Sequence, residues 1–199
     1  MNNHENLIGS TADGLVVLRA GEKAKRIGIN DPFAELFISG EGYQLLNTAK
    51  KTDRVYEEYN LARFRFIHER LVKLCGDYDQ ILLLGAGFDC RHLGMDLFKN
   101  GKRTVFEIDE PNKLYQKKII LEENGFEPPS WNHYISINLA EEGIIDLLLA
   151  KGFVMNKPTL MISEGLFFFL PFPVSKKILN PAWLNLVKGS RMIFDCWSE

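Results

Sequence analysis

Cysteine is scarce in this 199-residue chain: Cys75, Cys90 and Cys196 lie far apart, are odd in number and form no CxxC. That excludes a disulfide framework and a Cys-based zinc site, and it predicts reduced thiols in a cytoplasmic protein. The four histidines, His4, His68, His92 and His133, show no metal-ligand spacing, and the HER at 68–70 is not HExxH. No metal site is expected. Long apolar runs are missing too. The most apolar stretch, LFFFLPFPV, is far shorter than the roughly 20 residues that span a bilayer. The opening MNNHENLIGSTADG has no apolar core, so no signal peptide is expected. Neither charge sign dominates, with 24 Lys plus Arg against 26 Asp plus Glu. Without a basic block there is no electrostatic footprint for nucleic acid, and the cluster Lys23, Lys25, Arg26 reads as a solvated helix face. Repeats, low-complexity segments and linkers are absent.

What is present is a chain of ordinary composition, 46% hydrophobic and 25% charged, long enough for one domain with a real core. From residue 80 onward, short apolar runs alternate with helical stretches. QILLLG (80–85), RTVFEID (103–109), HYISIN (133–138), TLMIS (159–163) and RMIFDCW (191–197) are strand candidates. The segments 89–99, 112–124, 140–151 and 174–187 are helix candidates, with Pro181 restarting or kinking the last. Such alternation predicts an α/β fold: a parallel sheet with helices on both faces. Residues 1–79 read as a mostly helical N-terminal part before an α/β core at 80–199. TADGLVVLRAGEKAKR suggests one helix, and NDPFAELF a short one starting at Pro32. Phe64, Ile67, Leu71 and Leu74 follow 3-4-3 spacing, which predicts a long amphipathic helix from about Asp53 to Leu74.

The junction QILLLGAGFDCR carries the chemistry. In an open parallel sheet, ligands bind beyond the carboxyl ends of the strands where strand order reverses. If QILLL is the central strand, Gly85-Ala86-Gly87 lies at such an end. There the glycines allow unusual φ values and let a ligand approach the bare backbone. Asp89 is a plausible N-cap for the following helix. The alternative is a tight strand-to-helix turn with nothing against it. The second strand ends in Asp109, roughly 20 residues on, the distance at which an acid reaches a ribose hydroxyl pair. Glu107 lies on the same strand face and could assist it or pair with Arg91. Together these features indicate a nucleoside-containing cofactor. A dinucleotide fingerprint wants a third glycine, where this chain has Cys90. S-adenosylmethionine has no pyrophosphate and does not need that cradle.

The chain resembles the leucine carboxyl methyltransferase family, including its bacterial O-methyltransferase branch, over almost its whole length. STADGLVVLRA with NDPFAELF resembles the family's TA…RA…DP.A opening, and ARFRFIHERL its arginine-bearing helix. LLLGAGFDCRHL resembles the LGAG.DtR signature, FEIDEPNKLYQKK the fE.D.P…K segment, and INLAEEG the usual v-D-L segment. PTLMISEGLFFFLP resembles the late P-t…EG…YLp motif. The resemblance implies a class I methyltransferase-like Rossmann fold with strand order 3-2-1-4-5. It also implies S-adenosyl-L-methionine as cofactor. On it, Gly85, Ala86 and Gly87 would pass beneath the methionine moiety and Asp109 would hold the ribose. Arg63 would pair with the cofactor carboxylate, for which a guanidinium fork is suited. Asn138 and Leu139 would flank the adenine, and Glu164 would lie near the cofactor ammonium.

Departures from the pattern are Asn138 for the usual acid, Phe169 for a frequent Tyr and Cys90 for a usual Thr. The chain also stops at Glu199, where the family continues with two more strands and acceptor-site segments. The expected reaction is methyl transfer to a carboxylate or hydroxyl oxygen of a small-molecule or protein-carboxylate acceptor. An ionised carboxylate needs no general base, so no catalytic base is named. Two other readings stand beside this one: a cofactor-binding but inactive homologue, and a nicotinamide-dependent oxidoreductase. The last strand, with Met192, Ile193, Phe194, Cys196 and Trp197, lacks the inward charge or proline that protects an edge. Self-association through it is therefore expected.

Overall fold

In the computed structural model, which describes residues 3–29, 31–99 and 101–196, one five-stranded sheet organises the chain. Its strands are β1 (Gln80–Leu84), β2 (Thr104–Asp109), β3 (Asn132–Ser136), β4 (Thr159–Ser163) and β5 (Arg191–Phe194). They are all parallel in the order β3-β2-β1-β4-β5, which is the expected 3-2-1-4-5 with QILLL in the centre. Register pairs Leu84 with Ile108 and with Ser163, so β1, β2 and β4 present their carboxyl ends together. Strand order reverses there, on either side of β1.

Two-residue periodicity splits the sheet's side chains between its faces. Ile81, Val105, Leu160, Ile162 and Ile193 pack with Ile67 and Leu71 from one helix. That helix, α4 (Tyr56–Leu74), follows α1 (Asn3–Ala20), α2 (Glu22–Arg26) and α3 (Gly40–Thr52). Leu82, Leu84, Phe106, Ile108 and Met161 face the other way. They meet Ile144, Leu148 and Ile178 of the later helices α8 (Ile144–Ala150) and α9 (Phe172–Ile178). Between them in the chain come α5 (Arg91–Gly94), α6 (Asp96–Lys99) and α7 (Pro111–Glu123). The predicted stripe holds: Phe64, Ile67 and Leu71 are buried, each stabilising by about 1.5–3 kcal/mol. A third cluster joins α1 to α4, α7 and the turn after β1, with Val16, Phe37 and Phe64 against Phe88 and Leu121.

Several boundaries differ from the expectations. The helix at 11–26 breaks at Gly21 into α1 and α2, and the long helix begins at Tyr56, not Asp53. The segment 32–37 carries only a 3-10 turn, Ala34–Phe37. The single helix expected over 89–99 is two single turns, because Met95 is extended at ψ 127°. Pro181 does restart the chain after α9, opening a 3-10 turn at Pro181–Leu184. β3 and β5 end earlier than their apolar runs, at Ser136 and Phe194. The stretch Trp197–Glu199 lies outside the described residues, so of the expected last strand only the part to Cys196 is described. The outer edge of β5 has no strand partner among the described residues, and Phe194 on it is exposed, with its ring tilted against Phe167. No helix among the described residues is long and apolar enough to cross a membrane.

Candidate functional site

The chain leaves β1 through two residues in the left-handed region, Gly85 at φ +65° and Gly87 at φ +46°. Both Gly85 N and Ala86 N donate to Ile108 O, at 2.8 and 3.2 Å, which folds the turn back onto the end of β2. Gly87 N then donates to Asp109 Oδ2 at 2.7 Å, and Asp109 Oδ1 accepts from Glu110 N at 2.7 Å. Sequence reasoning set Gly87 and Asp109 on one ligand; the structure joins them directly. Burial raises the Asp109 carboxyl above its ordinary range, against the lowering effect of those two amides.

The two glycines have different surroundings. A Cβ on Gly85 would meet Leu166 Cδ1 at 3.0 Å, whereas one on Gly87 would find nothing nearer than Ala12 Cβ and Gly85 O at 3.9 Å. Both need the backbone freedom of glycine, but only at Gly85 would a Cβ press on a neighbour; at Gly87 it would make ordinary contacts.

Asp89 does not cap a helix as expected. Cys90 precedes the first helical residue, and Asp89 Oδ1 accepts from Arg91 N at 3.1 Å in a local turn. Both Asp89 oxygens also grip Arg91 Nε, at 2.9 and 2.8 Å. Arg91 does not pair with Glu107, as the sequence had suggested. Its side chain is 3% exposed, and it donates to Phe64 O at 3.2 Å and to Glu164 Oε2. One guanidinium thus ties α4, the glycine turn and the end of β4 together. Burial would raise the Asp89 carboxyl, but the Arg91 and Arg19 guanidiniums hold it well below the usual carboxylate range. The short Asp-x-Arg spacing was the available sequence signal for this hub.

Glu107 points instead into the interior, where it is fully buried. Lys117 Nζ of α7 donates to Glu107 Oε2 and, at 2.7 Å, to Asp89 O. Glu107 Oε1 accepts from Asn132 Nδ2 at 2.7 Å and lies 3.1 Å from His92 Nε2. Burial opposes its charge, yet Lys117 and His92 bring the Glu107 pKa down to about 2. This network, which sequence reasoning missed, holds the glycine turn from beneath. Asp31 holds it from the side, accepting from Cys90 N at 3.3 Å while Arg19 Nε stands 3.4 Å away.

Arg63 is not a solvent arginine. Its side chain is 8% exposed, and its guanidinium lies 5.4–5.8 Å from the Tyr59, Phe64 and Phe168 rings. Arg63 Nε stands 3.6 Å from Glu164 Oε1 and 3.4 Å from Asp195 Oδ2. Glu164 is likewise buried, in contrast to an acid at an exposed strand end. Asp195, which the sequence reading did not single out, accepts from Gly165 N at 2.7 Å through Oδ1. Asn138 and Leu139 follow β3. Asn138 Nδ2 donates to Glu110 Oε1 at 3.0 Å, and its Oδ1 is engaged by Ala140 N at 2.9 Å. Leu139 is buried. The structure therefore brings Gly85, Ala86, Gly87 and Asp109 into one turn, Arg63 and Glu164 into one ion-pair cluster, and Asn138 against the loop after β2. No group of three or more metal-ligating side chains occurs among the described residues.

Comparison with known proteins gives this geometry a family. The family model described as Leucine carboxyl methyltransferase matches residues 13–182. The chain belongs to the leucine carboxyl methyltransferase family. It is 31% identical over 179 residues to a Mycobacterium marinum protein named "Putative S-adenosyl-L-methionine-dependent methyltransferase", covering 82% of this chain and 57% of that one. A Mycobacterium bovis protein of the same name is 26% identical over 206 residues, covering 96% of this chain and 65% of that one. The chain thus spans about three-fifths of the length of these family members. A crystal structure titled as a "putative methyltransferase" from Thermobifida fusca superposes with TM-score 0.62 at 14% identity, covering 92% of this chain and 64% of that one. That likeness bears on the fold alone. Within the family match fall Arg63, the glycine turn, Asp109, Asn138, Leu139 and Glu164; Asp195 lies beyond it.

Proposed function

We propose that this chain carries the S-adenosyl-L-methionine site of a methyltransferase that transfers a methyl group to a carboxylate or hydroxyl oxygen. The observation that carries the reading is the hydrogen bond from Gly87 N to Asp109 Oδ2 at the sheet's switch point, in a turn where a Cβ on Gly87 would meet nothing nearer than 3.9 Å. It sets a carboxylate against a bare-backbone turn, which suits a ribose with an amino acid beside it. The donor set fits the cofactor's other end. Arg63 Nε and Glu164 Oε1 are buried without hydrogen-bond partners, one cationic and one anionic. A zwitterion would satisfy both.

When bound, the cofactor supplies an electrophilic methyl on a sulfonium. The residues around it would present that methyl to the acceptor oxygen, the displaced sulfur remaining as a neutral thioether. The protein's share is to hold and align. Asp109 would accept from the ribose hydroxyls, and Arg63 would take the carboxylate in a forked contact. Leu139 would give an apolar wall for the base, and Asn138 would edge it if its amide released Ala140 N. A carboxylate acceptor arrives ionised, so no side chain needs to accept a proton. Alignment of oxygen, carbon and sulfur, with water excluded, is the remaining source of rate. The acceptor is a small molecule or a protein carboxylate.

Calorimetric titration of the 199-residue chain with S-adenosylhomocysteine tests the cofactor assignment, with NADH as the contrasting ligand. Tight S-adenosylhomocysteine binding and no NADH binding is the expected result; the reverse would sink it. Transfer of label from S-adenosylmethionine across a panel of carboxylic acids and alcohols then tests the oxygen acceptor. Label appearing on nitrogen or sulfur nucleophiles instead would refute that part.

A further inference from the structure

Four buried polar atoms at the end of β4 have no hydrogen-bond partner, Ser163 Oγ, Arg63 Nε, Glu164 Oε1 and Asp195 Oδ2, and the last three belong to charged groups. The two carboxylate oxygens stand 3.6 and 3.4 Å from the same Arg63 nitrogen, close enough for ion pairing but without hydrogen-bond geometry. Each carboxylate is fixed by its other oxygen. Glu164 Oε2 is held by Arg91, and Asp195 Oδ1 by Gly165 N at 2.7 Å. So each offers one anchored oxygen with nothing donating to it. Leaving such atoms unmatched in a buried site is costly unless a ligand completes them.

The charges point the same way. Three guanidiniums, Arg19, Arg63 and Arg91, face four carboxylates, Asp31, Asp89, Glu164 and Asp195. The cluster lacks one cation. Holding Gly165 N needs only Asp195 Oδ1, so that structural duty leaves Oδ2 unexplained. Burial also raises the Asp195 carboxyl, more than the Gly165 amide and Arg63 lower it.

We propose that Asp195 is a cofactor-binding residue that shares the cofactor's ammonium with Glu164, while Arg63 turns from both acids to the cofactor's carboxylate. This rests on the methyltransferase reading above. Without ligand, Arg63 stands in for the ammonium; with ligand, a zwitterion exchanges partners with an internal ion-pair cluster. An ammonium carries three donors and can meet two fixed oxygens at once. The site therefore selects adenosine derivatives that carry an intact α-amino acid, and it disfavours those that lack one.

Two ligands separate this role from a structural one. S-adenosylhomocysteine has the amino acid; 5′-methylthioadenosine has the adenosine and thioether without it. Calorimetry with both is done on the wild-type chain, on Asp195→Asn and on Glu164→Gln. Asparagine keeps an oxygen for Gly165 N, so the turn is preserved. The expected result is about tenfold weaker S-adenosylhomocysteine binding in each variant, the loss typical of one charged hydrogen bond. 5′-Methylthioadenosine affinity should stay within about twofold, since its contacts are untouched. If Asp195→Asn leaves S-adenosylhomocysteine affinity unchanged, Asp195 is no ligand. Equal losses for both ligands, with or without a lower unfolding midpoint, would make it a structural residue and overturn the proposal. A wild-type chain that binds neither ligand overturns the methyltransferase reading itself. That outcome is distinct from a wild type that binds both and variants that do not discriminate.

Discussion

Replacing Lys117 with methionine should be among the most destabilising single changes in this chain. The side chains of Lys117 and Glu107 are both 0% exposed, and the ammonium donates to Glu107 Oε2 and to Asp89 O. Methionine keeps the volume of the stem and removes only the charge and its donors. Glu107 then retains its contacts to Asn132 and His92 on Oε1 but has none on Oε2. An uncompensated buried charge of this kind costs about 3–5 kcal/mol. Urea unfolding, followed by the fluorescence of Trp131 beside Phe98 and His92, measures it. A loss below about 1 kcal/mol would refute the reasoning, because surface-like pairs lose that little.

The pH dependence of that loss gives a second check, with its sign fixed beforehand. In the native chain, Glu107 is depressed from 4.5 to about 2. Its stabilisation is therefore complete above the unfolded value and disappears as pH falls from 4.5 towards about 2. In Lys117→Met, only His92 is left to oppose burial, so the Glu107 carboxyl is expected to rise above its unfolded value. The protonated form is then favoured, and stability declines as pH climbs through the raised value, by up to about 1.4 kcal/mol per pH unit. The variant should be closer to wild type in mild acid than at neutral pH. Adding Glu107→Gln removes the buried charge and should recover most of the lost stability and flatten the pH profile. A double variant as unstable as the single one would mean that packing, not charge, explains the loss.

Asp109→Ala should weaken S-adenosylhomocysteine binding by about 1–3 kcal/mol, read by calorimetry; it also strips the acceptor from Gly87 N and Glu110 N, so thermal stability should fall as well. Because burial raises the Asp109 carboxyl and the ribose needs the ionised form, affinity should increase as pH rises through that raised value, and a flat profile across the acid range would remove Asp109 from the site. Gly85→Val should unfold more readily than Gly87→Val, since both face positive φ but only Gly85 would press a Cβ onto Leu166 at 3.0 Å; Gly87→Val should instead show its larger effect on cofactor affinity. Phe194→Lys should reduce any concentration-dependent light scattering, because Phe194 lies exposed on the unpaired β5 edge.

The sheet was legible because its strands are short apolar runs bounded by glycine, proline or acid, and because alternation with helices allows few topologies. Strand ends were less so. HYISIN stays apolar at Ile137, but pairing stops where β2 stops, at Asp109 opposite Ser136, and that limit belongs to the partner strand. The helix predicted after the glycine turn is cut at the extended Met95. Its start is displaced because Asp89 and Arg91 spend their polar groups on each other, on α4 and on Glu164 after β4, which are distant in sequence. Glu107 was misassigned because the strand pattern does not show which cation the fold returns to it. The crossover from β2 brings α7 back over the sheet and delivers Lys117, ten residues away, to the same point.

Asp195 could have been found by a rule that the other acids obey. Asp109 ends β2, Glu164 directly follows β4, and Asp195 directly follows β5. Ser163 pairs with Phe194, so Glu164 and Asp195 occupy the next position on adjacent strands. An acid at such a place escapes the apolar sheet interior and still cannot reach bulk water freely. The structure gives Asp89 and Asp195 one main-chain N–H each, from Arg91 and Gly165, and Asp109 two, from Gly87 and Glu110. Glu164 is anchored by Arg91 instead. These anchors fix the carboxylates before any ligand arrives, which reduces the ordering cost of binding. The acid inside a strand, Glu107, has partners on both oxygens, whereas Glu164 and Asp195 each keep one oxygen that Arg63 approaches without hydrogen-bond geometry. On the proposal above, complete pairing marks the acid that holds the fold, and the oxygen left over marks the two acids that would meet the ammonium.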